Sequence, residues 1–105
     1  MRITLGSICT SDLHIKHGSV PRAVPGITVG HDMVGVVEKV GFEVRNVKTG
    51  GVDGCDCAEI LRLIEASKID TTPLNTHRYK LADIAEAYHL FENKLDGVIK
   101  VAVEP

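Results

Sequence analysis

The sequence predicts a mixed α+β fold, mostly β, in which strands come first and helices follow. Residues 2–8 alternate loosely as a strand, and residues 34–40 are rich in β-branched residues, so we expect a strand at each position. Apolar residues recur at helical spacing between residues 58 and 67 and again between 81 and 93. A last apolar run, residues 98–103, predicts a final strand close to the core.

The first half alternates between strands and irregular connections. Residues 34–40 (VGVVEKV) are followed by Gly41, which predicts that the strand ends in a turn, and residues 44–47 are candidates for another short strand. Residues 18–30 contain two prolines and three glycines, so we expect a long irregular connection there. Connections of this kind often shape binding sites.

The second half carries two amphipathic helices. Asp56 is placed to cap the first, at residues 58–67, whose apolar stripe consists of Ile60, Leu61, Leu63 and Ile64. The second helix, at residues 81–93, has a clearer stripe, formed by Ile84, Ala87, Tyr88 and Phe91. We expect Tyr88 and Phe91 to belong to the core rather than to a substrate pocket.

The composition indicates one small domain and excludes several classes of partner. In a chain of 105 residues without tryptophan, the core must consist of Val, Ile, Leu and Ala. Twelve basic and fourteen acidic residues occur without a basic cluster, so we expect neither nucleic acid nor an anionic membrane as a partner. No apolar run approaches the roughly 20 residues that span a bilayer, and the first residues do not resemble a secretory signal. We therefore expect a cytoplasmic protein.

Three cysteines, an odd number, do not form a disulfide framework. In a reducing compartment they are thiols or metal ligands. Cys55 and Cys57 lie two positions apart, a weaker metal signal than the Cys-x-x-Cys spacing, so we interpret them as free thiols where a loop meets a helix. Ligation by this pair is the alternative.

Two short motifs predict a metal site. Cys9 begins the run CTSDLH, and His31 stands in Gly30-His31-Asp32, just before the second predicted strand. A thiolate and an imidazole from separate segments suit a borderline-soft ion such as zinc. The alternative is structural, because a lone cysteine is often a small buried hydrophobic residue and a lone histidine a satisfied polar group.

Both motifs resemble zinc-dependent medium-chain alcohol and polyol dehydrogenases. The runs ICTSDLHI, PGITVGHDMVGVVEKVG and EVRNVKTG are similar to the start of their catalytic domain, and residues 69–103 are similar to its end. The resemblance implies a partial GroES-like barrel, truncated, in which flanks 1–50 and 51–105 are fused near Gly50-Gly51 and the NAD(P)-binding domain is missing. It also implies an alcohol/aldehyde oxidoreductase.

The resemblance assigns roles to residues of both motifs. Cys9 and His31 match zinc ligands, and Asp32 stands where the family more often has Glu, a carboxylate that lies near zinc or joins its ligands. Asp12 matches a carboxylate that accepts a hydrogen bond from the ligating histidine. Ser11 and His14 match the hydroxyl and imidazole of a proton relay. The family's further ligand comes from the missing segment, so Cys55, Cys57 or Asp32 would have to replace it.

The nucleotide cofactor has no binding signature in this sequence. A dinucleotide fold needs G-x-G-x-x-G between a strand and a helix, and the glycines at residues 50–54 have the wrong spacing. We therefore expect that this chain alone does not bind NAD(P) and is inactive by itself. The alternative function is a non-enzymatic module for oligomerisation or partner binding, with a homodimer or higher oligomer forming through exposed strand edges.

Overall fold

The computed structural model describes residues 1–45 and 57–105, with the side chains of the second part from residue 60 onward. The four strands in these two ranges are β1 (Arg2–Ile8), β2 (Asp32–Val36), β3 (Asn75–Lys80) and β4 (Lys100–Glu104). Three α-helices are α1 (Thr10–Lys16), α2 (Cys57–Glu65) and α3 (Ile84–Glu92). Single 3₁₀ turns occur at Thr72–Leu74, Leu81–Asp83 and Leu95–Gly97.

The strands form one open sheet in the order β2-β1-β4-β3. Strand β1 pairs antiparallel with both of its neighbours, whereas β3 and β4 are parallel and are joined through α3. A mixed α+β fold is therefore confirmed. The four strands do not close on themselves within the described ranges, so the partial barrel is not confirmed. The expectation of a mostly β chain was wrong for these residues, because the α-helices occupy as much of the chain as the strands.

The core lies where α3 covers the middle of the sheet. Its buried members are aliphatic, as the composition predicts: Ile8, Ala87, Val101 and Val103. Tyr88 and Phe91 pack against this cluster and are partly buried, in agreement with the stripe read from the sequence. Burial of β4 on both faces explains its nearly continuous apolar sequence.

Strands form at both of the positions predicted between residues 2 and 40. Strand β1 has the predicted bounds, but β2 begins two residues earlier than expected and ends at Val36. Its end is explained by pairing, because Val36 lies opposite Arg2, the first residue of β1. Residues 37–40 have no residue of β1 opposite them with which to form backbone hydrogen bonds. They are therefore not part of the strand, although their sequence is partly apolar.

Two elements were not predicted. Helix α1 has only seven residues. Its first residues belong to the CTSDLH motif, from which we predicted metal ligands but no helix. Strand β3 has the polar sequence NTHRYK, in which only His77 and Tyr79 are turned inward. That alternation is the signal by which β3 could have been found.

The helices of the second half agree with their predicted positions to within a few residues. The segment predicted at residues 81–93 forms a 3₁₀ turn followed by α3, and Asn93 ends the helix. Val44 and Arg45 are not in a strand. The rest of the predicted strand at 44–47, the proposed fusion point at Gly50-Gly51, Cys55 and the capping residue Asp56 lie outside the described residues. Within the described ranges, the helices are too short or too polar to cross a membrane.

Candidate metal centre

The register of β1 against β2 brings the two sequence motifs together. Ser7, near the end of β1, lies opposite Asp32, the first residue of β2. Cys9 follows β1 directly and caps the start of α1, while His31 directly precedes β2. Antiparallel pairing places the end of one strand beside the start of the other, so residues 22 positions apart in sequence become neighbours.

Three potential metal ligands converge at this point. One ligand atom each from Cys9, His31 and Asp32 lies within 4.8 Å of the others. Cys9 and Asp32 are half-buried, and the His31 side chain is 55% exposed. The cluster is therefore open to an ion from solvent. A sulfur, a nitrogen and an oxygen donor match the ligands that zinc takes in proteins, whereas magnesium and calcium prefer oxygen alone.

Asp12 lies directly behind His31. It is buried, and its Oδ2 accepts a hydrogen bond of 2.8 Å from the backbone N–H of Cys9. Its other oxygen, Oδ1, has no hydrogen-bond partner among the described residues and lies 3.5 Å from Nδ1 of His31. A buried carboxylate oxygen without a hydrogen-bond partner destabilises the fold. A proton on Nδ1 of His31 would make that nitrogen a donor to Oδ1. Such a proton leaves Nε2 of His31 free to bind a metal, so the buried carboxylate fits a histidine ligand.

Asp32 is held from the opposite side. Its Oδ2 accepts hydrogen bonds from Ser7 Oγ, at 3.2 Å, and from Lys100 Nζ. Its Oδ1 lies 3.4 Å from Nε2 of His31, on the side of the ligand cluster. The hydrogen bond from Lys100 is the main cause that keeps the pKa of Asp32 below its ordinary value, so the carboxylate stays ionised.

Lys100 was missed by sequence analysis. It begins β4 and reaches Asp32 from a position 68 residues away in sequence. The one signal was a charged residue inside the otherwise apolar run at residues 98–103. Nothing local in that run indicates its partner.

Ser11 contacts the ligand cluster from the first turn of α1. Its Oγ lies 3.4 Å from Nε2 of His31. Hydrogen bonds from the Ser11 hydroxyl and backbone lower the pKa of Cys9 and so favour the thiolate, the form that binds metals. The Ser11 hydroxyl therefore lies beside the imidazole of the ligand cluster.

His14 and three other histidines lie outside the ligand cluster found among the described residues. The His14 side chain is exposed on α1, and no hydrogen bond in the described part of the chain joins it to Ser11. The side chains of Cys55 and Cys57 are outside the described set, so their part as replacement ligands stays a prediction. Three other histidines form surface or partly buried polar contacts: His17 with Glu92, His77 with Asp96, and His89 with Asn93.

A cleft of about 240 Å³ opens beside the cluster. Asp32 and Asp12 are among its polar lining residues, and Ile84, Tyr88 and Val103 are among its apolar ones. The site thus combines a potential metal centre with an adjacent, mainly apolar space. An organic molecule with a polar end could approach the metal position from such a space.

Comparison with known proteins identifies the class to which this fold and this cluster belong. Residues 1–62 match the family described as the alcohol dehydrogenase GroES-like domain. The match covers more than half of the chain and includes both motifs of the cluster. The chain belongs to this family, which confirms the resemblance read from the sequence.

Individual relatives agree with that assignment. An alcohol dehydrogenase of Cupriavidus necator is 46% identical over 46 residues, which are 44% of this chain and 13% of the relative. A zinc-type alcohol dehydrogenase-like protein of Bacillus subtilis is 40% identical over 50 residues, 48% of this chain and 13% of the relative. A mannitol dehydrogenase of Apium graveolens is 35% identical over 57 residues, 54% of this chain and 16% of the relative. The chain thus matches only about one-eighth to one-sixth of each relative's length, and no solved structure matches it.

Proposed function

We propose that the chain holds zinc through Cys9, His31 and Asp32 and is the zinc-binding part of an alcohol dehydrogenase-type oxidoreductase. The observation that carries the proposal is the convergence of the three ligand atoms to within 4.8 Å. The buried Asp12 Oδ1 supports it independently. This oxygen has no hydrogen-bond partner among the described residues and faces His31, so it is placed to accept the hydrogen bond that a metal-ligating histidine would donate. Relatives named as zinc-type alcohol dehydrogenases support the choice of metal.

The residues of the site have separate tasks in this proposal. Asp12 orients His31, Lys100 and Ser7 hold one oxygen of Asp32, and Cys9 supplies the thiolate. Zinc bound there would act as a Lewis acid toward the oxygen of an alcohol or carbonyl compound. Ser11 and His14 would carry the substrate proton toward solvent, which the exposed position of His14 permits.

Hydride transfer requires a nicotinamide held against the substrate carbon, and the sequence offers no dinucleotide-binding signature. We propose that the chain is inactive by itself and that a nucleotide-binding unit must be supplied for catalysis. A free, metal-ligating cysteine also suits a reducing compartment, so we propose the cytoplasm as its location.

The first test is zinc per chain, measured by elemental mass spectrometry on protein purified without chelators. We expect close to one zinc in the parent chain, and close to none in Cys9→Ser and His31→Gln. The matched control is His89→Gln, because His89 is exposed and its side chain hydrogen-bonds only with Asn93 among the described residues. Zinc absent from the parent, or retained in both ligand variants, would refute the proposal.

Exposed strand edges favour a second candidate function, which is self-association. The outer edge of β2 pairs with no strand in the described ranges, and Met33 and Val34 are 44% and 49% exposed. An edge of this kind is a template for pairing with another chain. We propose a homodimer or higher oligomer, tested by sedimentation of the parent and of Val34→Lys. A parent chain that sediments as a monomer at high micromolar concentration would exclude it.

A further inference from the structure

We propose that Phe42 of one copy of this chain docks into an apolar cavity between α1 and α3 of a second copy. The ring and the cavity lie at different places on the molecule, and no sequence motif assigned either of them a role. This contact is separate from the pairing of β2 edges proposed above, and its formation does not require zinc.

Phe42 stands at the tip of a tight turn. The backbone N–H of Val44 donates a hydrogen bond of 3.1 Å to the carbonyl oxygen of Gly41, so residues 42 and 43 form the apex of the turn. Phe42 is 97% exposed, the largest exposed fraction among the large apolar side chains of the described residues. Aromatic side chains carry a large apolar area and are common anchors of interfaces. The turn therefore presents an apolar group that a partner surface can bury.

The cavity that fits this group lies between helices α1 and α3. Its volume is about 490 Å³, which falls within the roughly 300–1,000 Å³ of pockets that bind organic groups. Val29, Ala85 and Tyr88 line most of it, and Asp12 and Lys16 supply its polar lining. A space of this size holds a phenyl ring together with part of the turn that carries the ring.

The charges beside the two surfaces are complementary, which favours a second copy as the occupant. Glu43 follows Phe42 at the apex of the turn and is exposed. Lys16 lines the cavity, and His17 follows it at the end of α1. Among the described residues, these two basic groups share one carboxylate, that of Glu92. A second carboxylate brought by Glu43 therefore meets an excess of basic groups when the ring enters the cavity.

The cavity adjoins the cleft beside the metal ligands. Asp12, Val29 and Tyr88 line both spaces. A docked Phe42 ring would therefore close part of the apolar space next to the ligand cluster, and the second copy would contribute a wall to the site. This consequence, unlike the contact itself, rests on the proposed function of the cluster.

Complementation between two variants tests the contact. Phe42→Ala removes the ring, and Ala85→Arg blocks the cavity from an exposed position on α3. Both are made in a Val34→Lys background, which opposes pairing of β2 edges, and self-association is measured by sedimentation. We expect Val34→Lys to self-associate, and each further substitution to weaken that association about thirtyfold, the loss typical of removing an aromatic anchor. A mixture of the two variants should form mixed complexes, because one retains the cavity and the other retains the ring.

Leu74→Ala in the same background is the matched control, because Leu74 is 54% exposed and lines neither the cavity nor the cleft. A Val34→Lys protein that sediments as a monomer at high micromolar concentration would overturn the proposal. Unchanged association in Phe42→Ala, an equal loss in Leu74→Ala, or a mixture that stays monomeric would also overturn it. Zinc per chain, measured on the same samples, tests the proposed function separately, because neither Phe42 nor Ala85 is a proposed ligand. Far-ultraviolet circular dichroism identifies any variant that fails to fold, and Phe42→Ala decides the outcome if Ala85→Arg does.

Discussion

Replacing Gly35 by alanine should destabilise the sheet at the edge strand that leads away from the metal site. A Cβ atom at Gly35 would lie 2.4 Å from the carbonyl oxygen of Arg2, and 3.0 Å from both the Arg2 carbonyl carbon and the Ile3 Cα atom. All three atoms belong to the backbone of β1. No side-chain rotation can therefore relieve the contact.

The expected loss of stability follows from the distance by which the new methyl group must displace the backbone of β1. Cβ atoms in proteins keep at least 3.0 Å from other heavy atoms, so the Arg2 oxygen must move by about 0.6 Å, the difference between 3.0 and 2.4 Å. Pairing of Arg2 with Val36 and of Ile3 with Gly35 would be disturbed. Overpacking of this kind costs about 1–3 kcal/mol, a large part of the roughly 5–15 kcal/mol that stabilises a small domain.

Gly6→Ala is the matched control. Its Cβ atom would lie 3.7 Å from the Asp32 carbonyl oxygen and 3.9 Å from that of Val103, which are ordinary contacts. Restricting the unfolded chain by this substitution should stabilise the fold by about 0.4–1 kcal/mol.

Urea unfolding, followed by far-ultraviolet circular dichroism, compares the parent with the two variants. With a slope of about 2 kcal/mol per molar urea, Gly35→Ala should lower the unfolding midpoint by about 0.5–1.5 M. Gly6→Ala should leave the midpoint unchanged or raise it. Equal midpoints for the two variants would refute the pairing of β1 with β2 on which the geometry of the site depends.

Two further variants test the groups around the ligands. Asp12→Ala removes the acceptor of the Cys9 N–H, so we expect the free energy of unfolding in urea to fall by about 1–2 kcal/mol. In a chelator competition assay, zinc binding should be about tenfold weaker. Unchanged values in both measurements would contradict the role of Asp12. Lys100→Met removes the ion pair between Lys100 and Asp32, in which the two side chains are 38% and 34% exposed. The free energy of unfolding should fall by about 0.5–1 kcal/mol at pH 7. Because Lys100 lowers the pKa of Asp32 in the folded state, the pair stabilises the fold above the ordinary aspartate pKa of about 4, and this contribution is lost as the pH falls through the lowered value. The difference between parent and Lys100→Met should therefore shrink below pH 4, and a difference independent of pH would exclude the ion pair.

Sequence patterns predicted the elements that bury a face by themselves. Strand β1 alternates loosely and helix α3 has a clear apolar stripe, and both supply core residues, Ile8 and Ala87. Strand β3 is mostly polar and is ordered by its parallel pairing with β4, which begins 25 positions after it in sequence. A strand defined by a distant partner leaves only a weak local signal.

Some residues of the candidate site were predictable from sequence motifs, whereas others depend on the pairing of strands. The motifs around Cys9 and His31 indicated a metal ligand pair, and the family resemblance gave Asp12 and Asp32 their expected roles. Strand register supplied what no motif could, because pairing of Ser7 with Asp32 determines that the two motifs meet. Lys100 depends on a further pairing, of β4 with β1, and so was not predictable from either motif.

The coordination of the bound ion tests the central proposal most directly. X-ray absorption at the zinc edge, on protein loaded with one equivalent of zinc, counts sulfur ligands at about 2.3 Å and nitrogen or oxygen ligands at about 2.0–2.2 Å. We predict one sulfur, from Cys9, with nitrogen and oxygen as the remaining ligands. Two or more sulfurs, or none, would contradict a centre built from Cys9, His31 and Asp32.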